Sequence, residues 1–118
     1  MPSDLPEAYT RPMLIIETSV FTRYIKELLS DDDYADLQTD LAQRPDAGDL
    51  IQGGHGLRKL RWKIDGSGKR GGVRVIYYWH TADDQLWMLY AYAKAEREDL
   101  TRQQLKQLAE IVKRWKDG

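Results

Sequence analysis

The sequence predicts an α+β domain with a mainly antiparallel, twisted sheet, an N-terminal helical hairpin and a C-terminal helix. Helical periodicity runs through residues 18–44 and returns over 101–115. Between them lie segments of two-residue alternation and of β-branched and aromatic residues, which are typical of strands. The predicted order is β-α-α-β-β-β-α, with the helices expected on one face of the sheet.

The N-terminal part of the chain divides into an arm and the predicted helical hairpin. Residues 1–12 carry three prolines and no periodicity, so we expect a loose arm followed by a single domain over 13–118. The apolar run 13–16 predicts a first strand. Thr18 or Ser19 then caps a first helix, and a second helix starts in the acidic stretch after Ser30 and ends before Pro45.

The rest of the chain predicts three strands and a last helix. The glycine-rich stretch 48–56 is expected to be a loop, and alternation over 59–64 predicts a half-buried strand. A flexible loop over 65–72 leads to two strands, 73–80 and 86–93, which should form an antiparallel hairpin. A capping box at 101–104 opens the last helix. The expected core includes Phe21, Leu37, Val75 and Leu89.

Composition excludes several classes of function. No apolar run approaches the ~20 residues that span a bilayer, and the N-terminus shows no signal-peptide core. Cysteine is absent, which excludes disulfides, a thiol nucleophile and thiolate metal sites. His55 and His80 lack partners at ligand spacing. We therefore expect a cytoplasmic protein with no membrane partner, no metal and no cofactor.

Positive charge is concentrated in one part of the chain. Residues 58–74 contain seven basic side chains and one acid, giving +6, whereas the whole chain carries −1 and the remainder therefore −7. Such a concentration is typical of a phosphate-binding surface. The alternative is a solvated basic hairpin without a ligand.

The basic residues of the first predicted strand of this region share one face. Alternation places Lys59, Arg61 and Lys63 about 6.6 Å apart, close to the phosphate spacing of an extended single strand. The glycines of the following segment 68–74 would let the backbone approach a ligand closely. Both features favour a binding surface over a solvated strand face.

Two further cations stand in or beside apolar strands. Arg74 lies on the same side of its strand as Ile76 and Tyr78, so it is either paired to an acid or directed at a ligand. Lys94 follows the aromatic strand, where the alternative to a functional role is a salt bridge to Glu96.

Residues 56–61, 68–78 and 90–100 resemble the RelE/ParE superfamily of type II toxins, and the HigB-like branch most closely. The resemblance extends from Leu14 to Trp115. It implies a ribosome-dependent endoribonuclease that cleaves messenger RNA and a cognate antitoxin, which in this branch often carries a helix-turn-helix domain. Ala95 and Thr101 depart from the RelE pattern, which has a catalytic arginine and a catalytic tyrosine there. The superfamily also contains ParE toxins, which inhibit gyrase.

The resemblance and the clustered cations together define candidate site residues. RNA cleavage by its own 2′-hydroxyl needs a base, positive charge on the phosphate and an acid. Lys59 or Lys94 would act as the base, while Arg61 and Arg74 would hold the phosphate. The candidate RNA-binding residues are Arg58, Lys63, Lys69, Arg70, Tyr78 and Tyr92. The alternative functions are a non-catalytic ParE-like gyrase inhibitor and an RNA-binding module.

Overall fold

The computed structural model describes residues 13–64 and 72–118. The strands are β1 (Leu14–Glu17), β2 (Asp49–Leu50), β3 (Leu57–Trp62), β4 (Val73–His80) and β5 (Gln85–Ala93), and the helices are α1 (Ser19–Leu28), α2 (Asp31–Gln43) and α3 (Arg102–Asp117). The expected arm over 1–12 lies outside the described residues, as does most of the expected loop over 65–72. The division into arm and domain therefore stays a prediction.

Five strands form one sheet in the order β1-β5-β4-β3-β2. β2, β3, β4 and β5 pair with their neighbours antiparallel, and β1 joins the edge of β5 in parallel. The predicted α+β fold with a mainly antiparallel sheet is confirmed.

Short polar side chains start the three helices as the sequence predicts. The Thr18 hydroxyl accepts a hydrogen bond from the amide of Phe21 at the start of α1, and Ser30 accepts from Asp33 at the start of α2. At α3, Thr101 and Gln104 form the predicted capping box. These caps satisfy amide groups that the first helical turn leaves without a partner.

The strand β2 corrects the prediction of a loop over 48–56. Asp49 pairs with Lys59 and Leu50 pairs with Arg58, so a two-residue strand closes the sheet beside β3. A strand of this length is too short to show periodicity, and the glycines that favoured a loop all follow it or precede it. β3 also begins earlier than predicted.

The helices lie on both faces of the sheet, so the expectation of one face was wrong. Helices α1 and α2 pack on one face, in a cluster that contains Phe21, Leu37 and Val75. α3 covers the other face through Val112, beside Leu89. Strands β4 and β5 are apolar on both sides, and each side requires a cover. The four residues expected in the core are all buried.

An irregularity in the pairing of β4 with β5 sets which side chains share the α3 face. Ile76 pairs with Tyr90 but Tyr77 pairs with Met88, so Leu89 is an extra residue in β5. Tyr90 and Tyr92 therefore face the same side as Leu89. Arg74 pairs with Tyr92 and faces the same side as Ile76, as predicted.

Gly72 permits the close approach of β3 and β4 just before Arg74. Its φ is +78°, and a Cβ atom there would lie 2.0 Å from the carbonyl oxygen of Trp62. From the sequence, the glycines of this segment were expected to let the backbone approach a ligand. At Gly72 the close neighbour is the adjacent strand itself.

Candidate nucleic-acid interface

A row of three side chains crosses the α3 face of the sheet. Arg61 of β3 pairs directly with Arg74 of β4, and Arg74 pairs with Tyr92 of β5. Lys59 lies two residues before Arg61 and thus on the same face. Two arginines directly opposite each other repel unless negative charge compensates them. We call Lys59, Arg61 and Arg74 the cationic cluster.

Two carboxylates contact the cationic cluster. Lys59 Nζ lies 2.6 Å from Asp99 Oδ1, and Arg61 Nη1 lies 2.7 Å from Asp49 Oδ2. The hydrogen bond and charge of Lys59 lower the pKa of the Asp99 carboxyl, with smaller contributions in the same direction from Arg61 and Arg74. The field at Asp99 therefore combines all three cations.

Arg74 is the buried member of the cluster. Its residue is only 8% exposed, and its neighbours on the α3 face include Ile76 and Tyr92. Charged residues are seldom so buried without a partner. The Arg74 charge favours the ionised forms of both Asp99 and Tyr92. Arg74 therefore contributes positive charge to the cluster from a buried position.

Tyr92 lies below the cluster and supports the segment that carries Asp99. Its ring is 2% exposed, and its hydroxyl donates to the carbonyl oxygen of Glu98 at 3.4 Å. The Arg97 guanidinium lies 5.9 Å from the ring centroid. Burial raises the pKa of Tyr92, as does the nearby Asp99 charge. The structure thus places this predicted RNA-binding residue under the surface.

Arg58 does not join the cationic cluster. Its guanidinium Nη1 donates to the carbonyl oxygens of Gly48 at 2.8 Å and Asp46 at 3.3 Å. Alternation along β3 directs it to the side opposite Lys59 and Arg61. In this position Arg58 holds the chain that leads from α2 into β2.

Tyr78 lies on the α3 face but away from the cluster. It is four residues beyond Arg74 on β4, a distance of about 13 Å along a strand. Its ring packs 5.3 Å from Trp87, and Lys116 of α3 lies over it at 5.4 Å. α3 therefore covers the ring that was predicted to contact RNA.

Lys63 and Lys94 are exposed near the cluster end of the sheet. The Lys94 amide donates to the Gly72 carbonyl oxygen at 3.0 Å, which ties the turn after β5 to the start of β4. Glu96 accepts from the Ala93 amide, and the described residues contain no Lys94–Glu96 ion pair. The predicted Lys69 and Arg70 lie outside the described residues.

Sequence reasoning missed the acidic partners of the cluster. Asp49 precedes Lys59 by ten residues and Asp99 follows it by forty, so a count over residues 58–74 contains neither. Pairing of β2 with β3 brings in Asp49, and the segment before α3 brings in Asp99. The position of Asp99 next to a predicted helix cap was visible in the sequence, but its contact with Lys59 was not.

A groove lies elsewhere on the α3 face, between α3 and residues 52–55. Its volume is about 990 Å³, and none of the cluster cations lines it. Within 13–64 and 72–118, no group of three or more His, Asp or Glu side chains is arranged to hold a metal ion. The helices described here are too short or too polar to cross a membrane.

Two comparisons with known proteins agree with this architecture. The family model described as RelE toxin of the RelE/RelB toxin–antitoxin system matches residues 13–117. The chain belongs to the RelE toxin family. The free-state structure of a double arginine-to-alanine mutant of E. coli toxin RelE resembles it with a TM-score of 0.57 and 15% identity, covering 88% of this chain and 98% of that chain.

Membership of the RelE toxin family confirms the resemblance at the level of the family. A RelE toxin belongs to a type II toxin–antitoxin system, which implies a cognate antitoxin as partner. Thr101, where the resemblance predicted a departure from the RelE pattern, caps α3, and Ala95 lies in the turn after β5. The assignment to the HigB-like branch stays a prediction.

Proposed function

We propose that this RelE-family toxin cleaves messenger RNA on the ribosome in the cytoplasm, and that the cationic cluster holds the phosphate that is attacked. The observation that carries the proposal is the direct cross-strand pairing of Arg61 with Arg74, beside Lys59. Such a concentration of like charge on one sheet face requires negative charge beside it. Asp49 and Asp99 supply this charge in the free chain, and a phosphate is an anion that would bind the same cations. We include in the proposal a HigB-like branch and an antitoxin with a helix-turn-helix domain.

The proposed reaction is an in-line attack by the RNA itself. The 2′-oxygen forms a bond to phosphorus and the bond from phosphorus to the 5′-oxygen breaks, which leaves a cyclic phosphate. A base takes the 2′-hydroxyl proton, and an acid supplies a proton to the leaving 5′-oxygen. Lys59 or Lys94 is the proposed base.

In this proposal Arg61 and Arg74 stabilise the negative charge on the phosphate during the reaction. Their backbones are paired on adjacent strands, so the fold holds both cations beside the place where charge would develop on the phosphate. Guanidinium groups also bind phosphate oxygens in pairs, which a single ammonium group cannot do. Lys63, Lys69 and Arg70 would contact neighbouring phosphates, where each contributes to binding more than to rate.

The ribosome has a positioning role in this proposal. The cluster is small, and Arg61 is its one well-exposed cation, which gives it little means to orient a flexible single strand. Orientation of the reacting groups supplies a large part of the rate in such reactions. A strand that the ribosome already holds would meet this requirement.

The test is a cell-free translation extract with mapping of transcript 5′ ends. The wild-type chain should stop translation and leave cut transcripts. Arg74→Ala should reduce the cleavage rate by about 10²–10³, the usual effect of removing one donor to a developing anion. Arg44→Ala removes an exposed arginine just after α2, which packs on the other face of the sheet, and this control for the loss of one positive charge should cleave normally.

A second variant separates loss of chemistry from loss of fold. Arg61 is more than half exposed, so Arg61→Ala should remain folded and still lose most of the activity. Full cleavage by both variants would show that the cluster is not the active site. Intact transcripts with damaged DNA would instead support a gyrase inhibitor, and RNA binding without cleavage would support an RNA-binding module.

A further inference from the structure

Asp99 is the acid that contacts Lys59 of the cationic cluster. Its carboxylate contacts Lys59 Nζ at 2.6 Å and lies in the field of Arg61 and Arg74. The Asp99 side chain is 70% exposed, whereas the Lys59 side chain beneath it is 16% exposed. An exposed carboxylate thus contacts a mostly buried lysine.

Asp49 contacts the cluster in a different way. It lies on the edge strand β2 and pairs with Arg61, whose side chain is itself half exposed. Asp49 is therefore the counter-ion of an exposed cation, and Asp99 is the counter-ion of a mostly buried one.

Neighbouring contacts hold the backbone that carries Asp99. The Tyr92 hydroxyl donates to the carbonyl oxygen of Glu98, immediately before Asp99. Arg97 donates to Gln104 at 2.8 Å, and the same Gln104 side chain accepts from the amide of Thr101. These contacts fix the segment on both sides of Asp99, so its carboxylate is presented to Lys59 by the fold.

We propose that Asp99 is a specificity-determining residue that takes the place of the RNA phosphate in the free toxin. A carboxylate and a phosphate diester carry the same charge and accept the same hydrogen bonds, so a phosphate must displace Asp99 to reach Lys59. The inference rests on the proposed phosphate-binding role of the cationic cluster. It adds that the chain's own acid competes for that position.

Competition of this kind discriminates between polyanions. A phosphate that is held in place by other contacts replaces Asp99 at a modest cost, because exposed ion pairs are weak. A phosphate on a free strand or on another polyanion is loosely held. For such a phosphate, the contact with Lys59 does not offset the free energy lost when the Asp99–Lys59 ion pair breaks. Rejecting unwanted partners by an unfavourable element is a general route to specificity.

The experiment compares Asp99→Asn with Asp40→Asn in binding a short single-stranded 2′-deoxyoligonucleotide, which lacks the attacking hydroxyl. Asp40 pairs with Arg44 on α2, on the opposite side of the sheet, so the control removes the same charge and an ion pair elsewhere. Asp99→Asn should bind about two- to fivefold tighter than the control, the range expected for one exposed ion pair. Its salt dependence should be steeper by a slope of about 0.7, as for one additional phosphate contact.

Adding Lys59→Ala tests whether the gain passes through Lys59. The gain from Asp99→Asn should disappear in this background, since no ammonium group remains to be released. A gain that persists would overturn the inference, and so would equal affinities of Asp99→Asn and Asp40→Asn. Weaker binding by Asp99→Asn would also overturn it, because Asp99 would then position Lys59 for RNA.

The outcome for the proposed function is read separately, from transcript cleavage by the wild-type chain. Absence of cleavage together with the Lys59-dependent gain would reject the nuclease and leave Asp99 as a competitor for phosphate. Cleavage without the gain would reject the role of Asp99 and leave the nuclease.

Discussion

Tyr77 holds the segment that leads into β2 from within the core. Its hydroxyl donates to the carbonyl oxygen of Pro45 at 2.6 Å and accepts from the amide of Gly48 at 2.9 Å. Arg58 reaches the same segment from β3. The next residue along is Asp49, the partner of Arg61, so a buried tyrosine indirectly fixes one counter-ion of the cluster.

Tyr77→Phe should destabilise the chain by about 1–3 kcal/mol, because the buried Gly48 amide loses its partner. Urea unfolding of the two proteins measures this difference. Tyr90→Phe is the control: the Tyr90 hydroxyl has no hydrogen-bond partner among the described residues, so its removal should cost little. Equal stabilities of Tyr77→Phe and Tyr90→Phe would contradict the assigned role of the Tyr77 hydroxyl.

At the scale of residues, the sequence predicted which sheet face the cations of the cluster share, but not the acids that contact them. An arginine in an apolar strand stands out in the sequence, and the structure places Arg74 where alternation predicted. Asp49 and Asp99 are ordinary acids in polar segments, and only the tertiary pairing of their segments makes them partners of the cluster. The same limit applies to Arg58 and Tyr92, whose neighbours come from distant parts of the chain.

The helix α3 begins in a motif that also organises the segment before it. The Thr101 hydroxyl accepts from the Gln104 amide at 3.0 Å, and the Gln104 side chain links back to Thr101 and Arg97. One cap thereby connects the helix to the backbone around Asp99.

Thr101→Ala should cost about 1 kcal/mol in unfolding free energy, the usual effect of losing a helix cap. Thr101→Ser keeps the hydroxyl and should stay within a few tenths of wild type. Chemical denaturation followed by circular dichroism makes the comparison. If the alanine variant proved as stable as the serine variant, the hydrogen bond at this cap would have no energetic weight.

The junction of β3 and β4 depends on a glycine for two separable reasons. Gly72 and Gly53 have nearly the same φ, +78° and +77°. A Cβ atom at Gly53 would meet nothing within 4 Å, whereas at Gly72 it would overlap the Trp62 carbonyl oxygen. The pair therefore separates backbone strain from steric overlap.

Gly53→Ala should cost about 1–2 kcal/mol for the left-handed backbone conformation alone. Gly72→Ala carries the same strain plus an overlap that typically adds about 1–3 kcal/mol. Thermal unfolding of both variants gives the difference directly. A Gly72→Ala protein no less stable than Gly53→Ala would show that the strands separate here without cost.

At the scale of elements, periodicity and caps predicted the long elements well. The three helices and the strands β4 and β5 lie within a residue or two of the predicted ranges. Periodicity failed for β2, because two residues contain no period. The sequence did not predict that α3 packs on the second face. Residues of β4 and β5 are apolar on both sides, which indicates buried strands but does not show which element covers each side.

At the scale of the whole molecule, folding raises the pKa of three of the described tyrosines above that of a free tyrosine. Burial is the largest cause that raises the pKa of Tyr34, Tyr77 and Tyr92, and the neighbouring acids Glu17 and Asp99 add to it at Tyr34 and Tyr92. A folded pKa above the unfolded value of 10.0 means that the folded state keeps a proton which the unfolded chain releases.

Stability should therefore decrease as pH rises above about 10, by up to about 1.4 kcal/mol per pH unit for each tyrosine that stays neutral. It should be insensitive to these groups below that pH. Denaturant titrations from pH 8 to 11 measure the slope, and Tyr77→Phe should make it shallower by removing one such group. An unchanged slope in that variant would exclude Tyr77 as a contributor.

The uneven charge of the molecule predicts how the antitoxin binds. An acidic or mixed-charge antitoxin that covers the basic region of residues 58–74 should bind more weakly as salt is added, because exposed charges are screened. Calorimetry at several salt concentrations measures this dependence. A salt-independent complex whose interface lies elsewhere would mean that the antitoxin instead blocks entry to the ribosome sterically.

The parallel pairing of β1 with β5 also has a consequence for the order of events in folding. Leu14 pairs with Gln85, and the Thr18 hydroxyl reaches Leu89 across 71 residues. At about 5–20 residues per second of synthesis, β5 is made roughly 4–14 seconds after β1. The β3–β4 and β4–β5 hairpins need only local closure, which is faster than long-range pairing. Arg61 and Arg74 thus come together through a local hairpin, whereas the sheet edge at β1 is completed late.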